Sequence, residues 1–165
     1  EVLQKAVKEI GDSADYRVHD VVDFSKSEAL IDSVADQHGS LNVLINNAGA
    51  TQGGNFLKLD DTDWEDGFAL KFYAAMRLSR ALWPLLVESH GAVINISGGF
   101  AQTPHHNFMI GGAVNAALTN FSKALANRGL IDNVNVNAIH LKILKNDIIY
   151  SYFSFFTRNC YLFPR

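Results

Sequence analysis

Three short apolar runs, at residues 41–45, 91–96 and 134–139, each follow a helical stretch, and that alternation leaves few folds open. The first, at 41–45, is a continuous apolar run, the pattern of a strand buried on both faces. Strands alternating with helices build βαβ units and a parallel sheet, so the expected fold class is α/β. Such sheets bind ligands at the carboxyl ends of their strands. The residues that follow each run are therefore the first place to look for function.

The remaining elements follow from local chemistry. Val2, Ala6, Val7 and Ile10 recur at helical spacing, with Gly11 as the cap. Residues 16–22 are short, β-branched and aromatic, and predict a strand. Ser25 with Glu28 reads as a capping box for a helix ended by Gly39, with Leu30, Ile31 and Val34 on its apolar face. Thr62 with Glu65 reads as a second box, opening a helix to residue 88. Its buried stripe is Trp64, Phe68, Phe72, Ala75, Leu78, Leu82 and Leu86, and Pro84 should bend or end it. A further helix over 107–128 carries Ala113, Ala116, Ala117, Phe121 and Leu125 on one side.

Composition narrows the functional classes. A length of 165 residues suits one domain, and 48% hydrophobic against 19% charged residues describes a globular body. The formal charge of -3 without a basic block gives no footing for nucleic acid or an acidic membrane surface. No run reaches the ~18 apolar residues that span a bilayer. The single cysteine, Cys160, excludes an internal disulfide framework and favours a cytoplasmic setting. The chain opens on Glu1, inside what reads as a helix, as if it starts in the middle of a larger unit.

Several motifs then fall in register. Val43-Leu44-Ile45-Asn46-Asn47-Ala48-Gly49 resembles the N-N-A-G segment that ends the fourth strand of the short-chain dehydrogenase/reductase family. His19-Asp20-Val21-Val22-Asp23 resembles the segment after its third strand. Gly91 to Gly98 resembles the fifth strand, Asn115 to Ala126 the helix after the catalytic residues, and Asn133 to Ile139 the sixth strand. The resemblance covers about residues 1–140. It implies a partial doubly wound, Rossmann-type sheet with helices on both faces and the first two strands missing. The third strand, at 16–22, would then be separated from that at 41–45 by a gap of two strand positions. It also implies an NAD or NADP cofactor and hydride transfer at a hydroxyl or carbonyl group of a small-molecule substrate. Asn47, Ala48 and Gly49 would line the cofactor. Asp20 would accept a hydrogen bond from the adenine amino group, and Val21 would pack on the ring. The helices at 62–88 and 107–128 match those that pair between subunits in the family, which implies a homo-oligomer.

The family's chemistry uses a tyrosine acid–base, a lysine that lowers its pKa, a serine that orients the substrate oxygen and an asparagine that holds a relay water. Those four positions fall on Gly111, Asn115, Gly98 and Lys71. Ser97, one residue early, keeps a hydroxyl nearby, and Lys71 supplies a cation; they are the remaining candidates for a catalytic role. Phe108 is the nearest aromatic and has no hydroxyl. His105 and His106 read as solvated loop residues, with acid–base or metal-ligand roles as the sharper alternatives. The Gly-rich phosphate turn and the family's Pro-Gly after the sixth strand are absent, the latter replaced by Leu141-Lys142. Residues 141–165 form an aromatic-rich tail without helical or alternating period. A translated intron or shifted frame gives such text more readily than a designed domain does; an aromatic membrane-surface anchor is the alternative. The expected function is that of a fragment of an NAD(P)-dependent oxidoreductase. A catalytically inactive nucleotide-binding or pairing module, or a truncated product without function, is the rival.

Overall fold

A computed structural model of the chain describes residues 2–143 and 149–154. Its elements in order are α1 (Val2–Ile10), α2 (Ser27–His38), β1 (Val43–Asn46), α3 (Asp61–Phe68), a π-helical turn (Ala69–Tyr73), α4 (Ala74–Glu88), β2 (Ala92–Gly98), α5 (Met109–Asp132), β3 (Asn135–Ile143) and β4 (Ile149–Ser154). The sheet runs β1-β2-β3-β4. The first three strands are parallel, with Val43 opposite Ala92 and Val93 opposite Val136. β4 joins antiparallel, with Tyr152 opposite His140. This is the α/β class that strand–helix alternation requires, and it brings the ends of β1 and β2 together.

The core lies between the sheet and the α4–α5 pair. Leu86, Val93, Ala126, Val134 and Val136 are buried there, with Leu44 and Trp83 packed against them. Burying a side chain of this size is worth about 1.5–3 kcal/mol. Trp83 Nε1 donates to Asp132 and ties the middle of α4 to the end of α5. The side chains of alternate residues point to the opposite sheet face, where Val43 is 48% and Ile45 58% exposed. β1 is therefore not buried on both faces as its apolar run predicts.

Three local expectations need correction. Residues 16–22 form no strand, so no third strand stands across a gap from β1. A strand is held by a ladder, and no neighbour offers one here. Side chains hold the segment instead: Arg17 pairs with Asp15 and bonds Gln37, and the Val22 amide donates to Asp20. Ser25 lies in a short 3₁₀ turn and donates to Asp23, so it caps no helix. The capping box of α3 is Asp60 with Asp63, two residues before the Thr62–Glu65 pair: the Asp63 amide donates to Asp60 and the Asp60 amide donates to Asp63. The helix then runs through Pro84 without ending.

Candidate functional site

The carboxyl ends of β1 and β2 are braced by a buried polar relay. Asn46 Nδ2 donates to Asn95 Oδ1 at 2.8 Å and to Ser79 Oγ at 3.1 Å. Asn95 Nδ2 donates to Ser122 Oγ at 2.8 Å, and Ser122 donates to the Leu118 carbonyl at 2.7 Å. Asn95 and Ser122 are fully buried, so these bonds join α4, β1, β2 and α5 in a dry environment. The first asparagine of the Asn-Asn pair thus has a structural task.

Asn47 follows β1 at its carboxyl end, on the edge strand of the described sheet rather than a central one. With Val21 and Ala48 it lines a cavity of about 110 Å³. Asp20 stays exposed, and its carboxylate accepts from the Val22 amide. Val21, Asn47 and Ala48 are brought together, but the space beside them is well below the ~300 Å³ of a typical small-molecule pocket.

The next residue is Gly49. A Cβ there would lie 2.9 Å from Lys71 Cδ and 3.2 Å from Lys71 Nζ. Lys71 reaches this place from the π-helical turn, an irregularity that is frequent at functional sites and re-aims the side chains around it. Its ammonium makes no ion pair or hydrogen bond among the described residues. Burial pushes the Lys71 amine below the ordinary lysine value. Its charged form is the costly one, so the folded chain releases that proton before the unfolded chain does. The cost is present at neutral pH and disappears as pH rises through the lowered pKa towards the ordinary ~10.4. Lys71→Met should therefore raise the melting temperature at pH 7 by about 2–4 °C. That gain should shrink towards pH 10. Paired thermal melts at the two pH values check it, and a less stable variant at pH 7 would mean that the ammonium is held by partners.

The same in-filling recurs at the other family positions. A Cβ on Gly98 would lie 2.7 Å from Asn115 Nδ2, so the asparagine fills the space that a serine side chain would need. Asn115 is buried and its Oδ1 finds no donor among the described residues. A Cβ on Gly111 would fall within the Phe108 ring. Phe108, three residues earlier, thus occupies the start of the tyrosine's path with a ring that has no proton to give. Ser97 is fully buried, and its hydroxyl donates to the Asn115 carbonyl at 3.1 Å and meets Thr119 Oγ1. These bonds tie β2 to α5. His140, which nothing in the sequence marks, is buried opposite Ser97 in the β2–β3 register.

The family model described as short chain dehydrogenase matches residues 1–153. The chain belongs to the short-chain dehydrogenase family. It is 29% identical over 140 residues to nodulation protein G of Rhizobium sp. strain N33, covering 84% of this chain and 57% of that protein. It is 29% identical over 145 residues to the benzil reductase ((S)-benzoin forming) of Saccharomyces cerevisiae, covering 83% and 55%. A short-chain dehydrogenase from Streptomyces avermitilis superposes with a TM-score of 0.77 at 32% identity, over 82% of this chain and 50% of that one. The chain spans about half the length of the curated relatives it matches. Members of the family generally use NAD or NADP and act on small molecules. No helix among the described residues is long and apolar enough to cross a membrane, and no group of three or more metal-ligating side chains occurs among them.

Proposed function

We propose that this chain is a module of an NAD(P)-dependent oxidoreductase line acting on hydroxyl or carbonyl groups, and that it transfers no hydride itself. The carrying observation is Phe108, whose ring takes the space above Gly111 where the family's proton donor begins. Lys71 over Gly49 and Asn115 against Gly98 support the same reading, because each fills a place that a cofactor or a substrate-orienting serine would need. The residues present do not fit a dinucleotide as they stand. Asp20, Val21, Asn47, Ala48 and Gly49 are the remnant of a nucleotide-facing edge, and Ser97 is a packing residue. The remaining role is a binding or pairing module, with the α4 and α5 helices as the subunit contact and the cytoplasm as the setting. The apolar cavity of about 430 Å³ between them, walled by Trp83, Phe121 and Leu125, supports that contact.

Acid–base catalysis typically contributes ~10²–10⁴-fold, so positioning alone leaves little rate. The expected result is no oxidation of NADH or NADPH with a panel of ketones and no micromolar affinity for either by calorimetry. One observation favours a second reading: the desolvated Lys71 amine at the strand end. Turnover that is lost in Lys71→Met would establish that reading and overturn the first.

A further inference from the structure

Outside this cleft, the outer side of α5 carries a cavity with an unusual wall. The loop between β2 and α5 folds back over the first two turns of α5 and leaves about 350 Å³, within the range of small-molecule pockets. Four rings line it. Phe100 and Phe108 lie 5.2 Å apart, Phe100 and His105 5.8 Å, and His105 stacks on His106 at 4.6 Å with 24° between their planes. The floor is small: Gly112, Ala113 and Ala116 sit on one helical side and leave a flat strip for a ring. Phe108 is shared with the filled cleft, but Gly111 and Asn115 belong to the buried side of the same helix and do not line this cavity.

The polar groups of the wall are also prepared. The Asn107 amide donates to His105 Nδ1 at 3.2 Å, and the Phe108 amide donates to the His105 carbonyl at 3.0 Å. With Nδ1 accepting, the neutral ring carries its proton on Nε2 as a donor. The lining contains no carboxylate, ammonium or guanidinium, so an anionic ligand meets no repulsion, and the imidazoles are the only lining side chains with an N–H to donate to it.

The geometry points to a binding site for a planar aromatic molecule bearing a carboxylate or similar acceptor, its ring laid on the Gly112–Ala116 strip and covered by the Phe100 and His105 rings, which already touch each other. Offset and edge-to-face ring contacts add about 0.5–1.5 kcal/mol each beyond the area they bury. That predicts a preference for an aromatic over a saturated ring of the same size. The proposal is independent of whether the cleft binds a dinucleotide.

Calorimetry and ligand-detected saturation-transfer NMR on the full chain test it, with 2-naphthoate as the probe and decahydro-2-naphthoate as the saturated control. The expected result is binding of 2-naphthoate at least tenfold tighter than the control. Ala116→Trp, which fills the floor from an exposed position, should abolish it. Should that variant not melt cooperatively, His105→Ala decides instead, with an expected loss of about fivefold or more. Absence of 2-naphthoate binding at millimolar concentration would overturn the proposal. So would equal affinity for the two ligands, binding unchanged in His105→Ala, or Zn²⁺ binding at the histidines with no aromatic binding.

Discussion

Restoring a tyrosine at position 111 should cost the chain about 2–3 kcal/mol of stability and return no hydride transfer. Gly111 is buried, and its Cα faces the Phe108 ring at a distance that leaves no room for any Cβ. A tyrosine can enter only if Phe108 swings out, which exposes a ring now packed against Phe100. Phe108→Ala alone should also destabilise, because it opens a cavity. The double variant should be more stable than the sum of the two single costs, by a coupling of about 1–2 kcal/mol, because each change relieves the other. Urea unfolding of the four proteins gives that coupling. Activity should stay absent even in the double variant, since Asn115 supplies no cation to lower a phenol's pKa. A Gly111→Tyr chain as stable as its parent would show that Phe108 does not occupy the site. Measurable ketone reduction by it would overturn the proposed loss of function.

How much of this was legible depended on what each signal senses. The apolar runs at 41–45, 91–96 and 134–139 sense burial, and all three became parallel strands because α4 and α5 supply a cover. Residues 16–22 have equal β character, yet strand formation needs a partner, and a linear pattern does not say whether one exists. The helix expected over 107–128 is found as Met109–Asp132, and the side that carries Ala113, Ala116, Ala117, Phe121 and Leu125 is not its most buried one. Its buried side is Ile110, Gly111, Val114, Asn115, Leu118, Ser122, Ala126 and Gly129, while Ala116 is exposed. A helix with polar and small residues inside and alanines outside gives almost no hydrophobic contrast to read. Nothing at 149–154 alternates, so the sequence does not mark β4; its pairing with β3 depends on where β3 lies.

The cleft divides along the same line. Loss of the tyrosine, lysine and serine at Gly111, Asn115 and Gly98 could be read by register, because absence is local information. What fills the space is not local. Phe108 reaches Gly111 over one helical turn, Asn115 reaches Gly98 from another element, and Lys71 reaches Gly49 through a π-helical turn that no residue pattern announces. Each contact pairs a glycine with a larger side chain. On the proposed reading, the chain keeps interior packing without the family's acid–base residues, a combination that sequence alone shows only as a row of missing residues.

The same logic gives the prediction of reversed sign at Gly129. In an ordinary helix interior, Gly→Ala stabilises by roughly 0.5–1 kcal/mol because alanine loses less backbone freedom on folding. Gly129 is buried in the last turn of α5, and there the chain turns sharply into β3. Asn133 adopts the left-handed conformation at φ 58°, and the Val134 amide donates back to the Gly129 carbonyl at 2.9 Å. This closure presses the Val134 carbonyl oxygen onto Gly129, where an added Cβ would overlap it and would also lie 3.5 Å from Val136 Cγ2. The obstacle is backbone, so no rotamer change relieves it. The α5–β3 connection would have to open, and it carries Val134 and Val136 of the core. Gly129→Ala should therefore destabilise by about 3 kcal/mol or more, lowering the melting temperature by about 6–12 °C. Asn133→Gly serves as the internal contrast: it keeps the left-handed turn without strain and should change stability by less than ~1 kcal/mol. Thermal and urea melts of the two variants decide the matter. A Gly129→Ala chain as stable as its parent would mean that α5 and β3 do not close on each other as described.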